Sequence, residues 1–193
     1  QFVNDVERAF GHIDALINCA GPYHRVNLLD ETSDGWNAMF DNNLHPIFHL
    51  TKAVAPGMRE RQWGRIINFG VVNADRMIAQ PYITAYYIAK VGVSVLTKTL
   101  AKMLAPDGIT VNCIHPGTTR TERTAKLLAD RTKQLGVPPE EVERHDFSEN
   151  SPNGNAICRM VDASEIGFLA VFLASDKAWA VTGEVIAAGG GVG

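Results

Sequence analysis

The chain has 193 residues, 46% of them hydrophobic and 20% charged, with a formal net charge of −3. That apolar content is enough for one core and a single domain over residues 1–193, and the slight negative charge leaves no electrostatic footprint for nucleic acid or an acidic membrane surface. A membrane span is also excluded on this reading, because Lys90, Lys98 and Lys102 interrupt the richest apolar stretch.

Residues Phe2 to Phe10 have a helical period, with Phe2, Val3, Val6, Ala9 and Phe10 on one side and Gly11 to close the helix. Ile13 to Asn18 is a short apolar run of strand length that ends in Cys19-Ala20-Gly21. Ser33 is placed to cap the next helix, which carries Trp36, Met39, Phe40, Asn43 and Leu44 and runs to about Arg61, bent at Pro46. Gly64 to Phe69 is a second strand, stopping at Gly70. A long helix follows from Pro81 to Asp107, ended by Pro106 and Gly108. Ile109 to Ile114 is a third strand, stopping at His115-Pro116-Gly117.

From Thr118 to Val161 the pattern loosens into a charged stretch with Pro138-Pro139 and Pro152-Asn153-Gly154. Short helices are expected at about Glu122–Leu135 and Pro139–Arg144. So long an excursion inside one domain predicts a substrate lid over 118–161. Asp162 with Glu165 forms a capping box that opens a helix from Ile166 to Ala174. Val181-Thr182-Gly183 then precedes a last strand, Glu184 to Ala188, and a glycine-rich end. Cys19, Cys113 and Cys158 are odd in number and set in apolar surroundings, which predicts three reduced core thiols in a cytoplasmic protein, without a metal site.

Strands alternating with helices predict an α/β fold, a doubly wound, Rossmann-like parallel sheet covered on both faces. Ligands of such sheets sit beyond the carboxyl ends of the strands, where this chain places small or helix-breaking residues. On the long helix, Tyr86 and Lys90 stand four residues apart, so they share a face one turn from each other. A nearby ammonium favours the phenolate and is expected to lower the tyrosine pKa, tuning it as a general acid or base for a secondary alcohol or ketone. By itself the pair is a weak signal, and a plain surface pair on an amphipathic helix also accounts for it.

Together these segments resemble the short-chain dehydrogenase/reductase family across the whole chain. Asn18-Cys19-Ala20-Gly21 is similar to the family's Asn-Asn-Ala-Gly, with Cys in the second position. Asn43 falls where the family keeps an active-site asparagine, and Tyr86 and Lys90 match its Tyr-x-x-x-Lys. Pro116-Gly117 with Thr121 matches the Pro-Gly-x-x-x-Thr that borders the nicotinamide, and Val181-Thr182-Gly183 resembles the usual close. The resemblance implies hydride transfer between NAD or NADP and a small-molecule secondary alcohol or ketone, such as a 3-oxoacyl thioester. It makes Tyr86 the proton donor and Lys90 the holder of the ribose. Asn43 would keep a water that returns protons to Lys90. Asn18, Ala20, Gly21, Pro116, Gly117 and Thr121 complete the implied cofactor site. Blander roles stand beside these: Asn43 kinking its helix, Asn18 tying strands together, Thr121 capping a helix.

Two departures qualify the match. The family's catalytic serine has no counterpart: aligning on the strand places Gly70 or Val71 there, and counting back from Tyr86 places Asn73. Asn73 can donate an amide hydrogen bond to a substrate carbonyl, so it is the candidate substitute. The family's opening phosphate loop is also missing, and Gly189–Gly191 cannot stand in, having no helix after it. The expectation is that this sequence is the later part of a longer polypeptide, with Ile13–Asn18 left as an apolar sheet edge. A non-catalytic scaffold of the same fold is the competing reading, and a sugar-nucleotide epimerase or dehydratase a third. Self-association as a homodimer or homotetramer is implied through the Trp36–Arg61 and Pro81–Asp107 helices.

Overall fold

In a computed structural model describing residues 1–148, 151 and 154–192, the chain opens with helix α1 (Phe2–Phe10) and strand β1 (Ala15–Asn18). Helices α2 (Ser33–Asn43) and α3 (His45–Arg61) follow, then β2 (Gly64–Phe69), α4 (Thr84–Leu104) and β3 (Ile109–Pro116). Then come β4 (Thr119–Arg120), α5 (Glu122–Leu135), α6 (Pro139–Asp146) and β5 (Val161–Asp162), and the chain continues through α7 (Ala163–Ala174) and β6 (Val185–Ala188). Pro152 and Asn153 of the expected loop lie outside the described residues. Among the described residues no helix is long and apolar enough to cross a membrane.

The main sheet has the order β1-β2-β3-β6, every pair parallel, as the strand and helix alternation requires. Asn18 pairs with Asn68, Phe69 with Ile114 and Pro116 with Ala188, so the carboxyl ends line up along one rim. Helices cover both faces. Val54 and Met58 of α3, with Ala101 and Leu104 of α4, pack on Ile66 and Val111. On the opposite face Ile166, Ala170 and Leu173 of α7 pack on Ile67 and Ile114. Covered on both sides, β2 and β3 are buried along nearly their whole length, their polar residues Arg65, Asn68, Thr110, Asn112 and His115 included. β1 is an edge strand, with Ile17 exposed.

Several boundaries differ from expectation. The cap of α2 is Thr32, whose hydroxyl accepts from Gly35 N–H, while Ser33 is the first helical residue. The single helix expected to Arg61 breaks at Leu44, and Pro46 opens α3 instead of bending it. α4 begins at Thr84, three residues after Pro81, because the carbonyls of Pro81 and Tyr82 accept from Leu28 and Val26 N–H at 3.0 and 2.9 Å. Those bonds tie the loop after β1 to the loop before α4. On α1 only Val3 is buried, and Phe2 and Phe10 are exposed. Of the three free cysteines only Cys113 is buried, whereas Cys19 is exposed, so the expectation of three core thiols fails where β1 becomes an edge.

The stretch from β4 to β5 is tied at its two ends. β4 and β5 pair in parallel, Thr119 with Val161 and Arg120 with Asp162. Arg120 adds ionic bonds to Glu143 at 2.7 Å and Asp162 at 3.0 Å. The terminal glycines meet the returning chain: Ile157 N–H donates to Gly190 carbonyl at 3.2 Å, and Gly190 and Gly191 sit at φ +70° and +77°. They hold the Ile157 segment against the chain that follows β6.

Candidate active site

Tyr86 and Lys90 occupy the start of α4, where the helix dives behind the rim of the sheet. Their spacing stacks them as expected, with the Lys90 ammonium 5.7 Å from the centre of the Tyr86 ring. Lys90 is 4% exposed and donates to the Phe69 carbonyl, the last of β2, at 2.8 Å. Burial lowers its pKa, opposed by nearby Cys113 and Cys19. Tyr86 departs from expectation. Burial, then the neighbouring Tyr23, push its phenol up to about 12, and Lys90 does not offset this. The loss of water around the buried ring dominates the shift.

Tyr86 stands in the wall between two hollows, and Gly70 and Pro116 share that wall. On one side is a cleft of about 440 Å³ bordered by Tyr23, Arg25, Asn73, Gln80, Tyr87 and Gly117. On the other is a mostly apolar hollow of about 630 Å³, bordered by Ile17, Cys19, Gly21, Lys90, Thr121 and the Ile166–Gly167 face of α7. Both volumes are in the range of small-molecule sites.

Gly21 is required where it stands. A Cβ there would overlap Asn43 Oδ1 and lie 3.4 Å from Lys90 Nζ. The Asn43 amide donates to the Met39 carbonyl at 2.9 Å and the Pro22 carbonyl at 3.0 Å. The first of these is the kinking bond anticipated for it, and the helix does break at the next residue. Its Oδ1 is buried without a hydrogen-bond partner among the described residues. A buried acceptor left in that state costs about 1–3 kcal/mol, so the place suits a bound donor close to Lys90.

The other anticipated residues divide. Asn18 is committed elsewhere: its Nδ2 donates to Asn68 Oδ1 at 2.8 Å, and Asn68 donates on to Thr97 at 2.9 Å, knitting β1 and β2 to α4. Neither Asn18 nor Ala20 borders the hollow, whereas Gly21, Pro116 and Thr121 do. Gly117 borders the cleft, and its Cα hydrogens face Gly189 so closely that a Cβ would sit 2.6 Å from Gly189 Cα. Thr121 has both its readings, since it also caps α5 by accepting from Thr124 N–H at 3.3 Å. Val71 and Asn73 both reach the cleft wall. Asn73 adopts a left-handed conformation at φ +63°, which asparagine tolerates better than most residues.

Four contributors escaped the sequence reading. Tyr87 holds the loop before α4 by donating to Asn73 carbonyl at 2.6 Å and accepting from Ile78 N–H at 3.2 Å. Tyr23 places its ring 5.6 Å from that of Tyr86 and carries the Arg123 guanidinium at 5.2 Å, joining α5 to the site. Arg25 reaches the cleft from the same loop as Tyr23. His115 lies buried behind Gly70, bonded to the Ser94 hydroxyl at 2.9 Å, with its pKa lowered by burial. Its ring fills the space a side chain at Gly70 would need. Only the doubled Tyr86-Tyr87 hinted at any of these.

The whole chain, residues 1–193, matches the sequence model of a family described as enoyl-(acyl carrier protein) reductase. It is 36% identical to a D-beta-hydroxybutyrate dehydrogenase of Cupriavidus necator over 91% of this chain and 66% of that one. An acetoacetyl-CoA reductase of Shinella zoogloeoides is 37% identical, over 96% and 70%. A 3-oxoacyl-[acyl-carrier-protein] reductase of Vibrio harveyi is also 37% identical, over 94% and 67%. The chain belongs to the short-chain dehydrogenase/reductase family. A crystal structure of a candidate gluconate dehydrogenase from Agrobacterium tumefaciens, 24% identical, superposes with a TM-score of 0.80 over 97% of this chain and 68% of that one, which shows the shared fold. The chain spans about two thirds of the length of the curated relatives it matches. As a short-chain dehydrogenase/reductase it keeps the tyrosine and lysine of the family pattern. It departs in Cys19, which borders the hollow, and in the Gly70–Asn73 stretch, where the serine is absent.

Proposed function

We propose that the protein moves hydride between NAD or NADP and a secondary alcohol or ketone, with Tyr86 as the proton-transferring residue. The observation that carries this reading is the position of Tyr86, backed by Lys90 one turn below, in the wall between two hollows. The named substrates of the relatives, a hydroxybutyrate, an acetoacetyl thioester and a 3-oxoacyl carrier protein, support the class. A 3-oxoacyl group, free or as a thioester, is the substrate this reading favours.

The apolar hollow fits the nicotinamide end of such a cofactor: Gly21 and Gly167 leave room for a flat ring, and Lys90 and Thr121 offer polar contacts at its border. The dinucleotide, when bound, supplies or accepts the hydride. The chain's own residues then handle the proton. A phenol with a pKa of about 12 stays protonated at neutral pH, which suits Tyr86 as the acid that protonates a ketone oxygen. Asn73, in the same cleft wall, is the candidate to polarise that oxygen with its amide, in place of the absent serine. Asn43 Oδ1, without a partner among the described residues and close to Lys90, would hold a water that returns protons through Lys90 to Tyr86.

Tyr86→Phe and Lys90→Met test the assignment in NADPH- and NADH-dependent reduction of a panel of ketones. Loss of a positioned acid should cost about 100-fold or more in kcat for Tyr86→Phe while the circular dichroism is unchanged. A Tyr86→Phe enzyme within about threefold of the parent would remove the tyrosine from the chemistry. We also propose self-association through α3 and α4, whose outer faces expose Phe48, Ile88, Val95 and Met103. A cytoplasmic setting accords with the three free thiols.

A further inference from the structure

The cleft on the Asn73 side of Tyr86 is bordered by apolar, aromatic, amide and hydroxyl side chains and by a single charged one, Arg25. Among the described residues no carboxylate borders it. Arg25 is exposed, and the residues on either side of it in the chain are anchored. His24 Nε2 meets Glu31 at 2.6 Å, and Val26 N–H donates to Tyr82 carbonyl at 2.9 Å. That pins the residue between the loop after β1 and the loop before α4. Arg59, Arg65, Arg120 and Arg131 all meet carboxylates of the chain, but Arg25 has no ionic or hydrogen-bonded partner among the described residues. The nearest acids along the chain are Asp30 and Glu31; neither borders the cleft, and Glu31 is engaged by His24. A second guanidinium, Arg123, is stacked on Tyr23 at the same mouth and adds positive potential without bordering the cleft.

A guanidinium bordering a cleft that no acid lines among the described residues is matched by an anion, and its planar fork by a carboxylate in particular. At about 440 Å³ the cleft holds a short oxo acid whole, whereas the carrier of a thioester would stand outside it. We propose that Arg25 recognises a free carboxylate on the substrate, so that the protein acts on short oxo and hydroxy acids with the reacting carbon at Tyr86 and the carboxylate at Arg25. This rests on the oxidoreductase reading above. The same charge could instead meet the phosphates of a coenzyme A thioester, and the test separates the two sources.

The experiment compares acetoacetate, its methyl ester and acetoacetyl-coenzyme A in the parent, Arg25→Gln and Arg25→Lys. Loss of a charge-assisted pair should lower kcat/KM for the free acid about 10- to 100-fold in Arg25→Gln, mostly through KM, with partial recovery in Arg25→Lys. The methyl ester, a poor substrate of the parent, should change by less than about threefold. Equal losses on acid and ester, or a loss confined to the thioester, overturn the carboxylate assignment. Calorimetric titration of acetoacetate into Tyr86→Phe, with and without Arg25→Gln, reads binding apart from turnover. Arg25-dependent binding in a protein with no reductase activity would sink the oxidoreductase reading and leave the anion site standing. Turnover of acid and ester alike, with binding indifferent to Arg25, would do the reverse.

Discussion

Replacing Gly21 with alanine puts one methyl where the structure has no room for it. The new Cβ would overlap Asn43 Oδ1, lie 3.2 Å from Asn43 Cγ and 3.4 Å from Lys90 Nζ. Asn43 cannot swing aside without loosening its bonds to the Met39 and Pro22 carbonyls, worth about 1 kcal/mol each. Overpacking of this kind costs about 1–3 kcal/mol, and a value near 2 would lower Tm by roughly 4–8 °C in a chain of this size. Urea unfolding of Gly21→Ala, Asn43→Ala and the double variant measures it. In the double variant the methyl enters the space the amide has left, so its cost should fall short of the sum of the singles by about 1 kcal/mol or more. Additivity within about 0.5 kcal/mol, or a Gly21→Ala variant as stable as the parent, would refute the reasoning.

Two further outcomes follow from the same geometry. The Tyr86 phenol has a folded pKa of about 12 against an ordinary 10.0, so its contribution to stability is present below pH ~10 and lost as pH rises through about 12. Tyr86→Phe should therefore flatten the alkaline fall in urea stability by about 2–3 kcal/mol; an unchanged slope would mean that the phenol is not buried. Val95→Glu, on the exposed face of α4, should shift the protein to a smaller species in light scattering, and an unaltered mass would place the interface elsewhere.

The loops were where sequence reasoning lost ground. Thr32 displaced Ser33 as cap, and Thr84 displaced Pro81 as the start of α4, because caps are chosen by neighbours in space: the Pro81 and Tyr82 carbonyls are taken by the loop after β1. The two-residue strands β4 and β5 carry no period for a reader to find. Arg25 and Tyr23 sit in a stretch without repeat or motif, and only the folding of that loop onto α4 brings them to Tyr86.

What the residues determined alone was the alternation of apolar runs and helical periods, and hence the parallel sheet and its rim, together with the stacking of Tyr86 over Lys90, since four residues on a helix always make one turn. The acidity of that tyrosine was another matter. It depends on how little water reaches the ring and on Tyr23 beside it, which lies far from it in the chain. Desolvation and hydrogen bonding belong to the assembled neighbourhood, so the tertiary structure alone decided them.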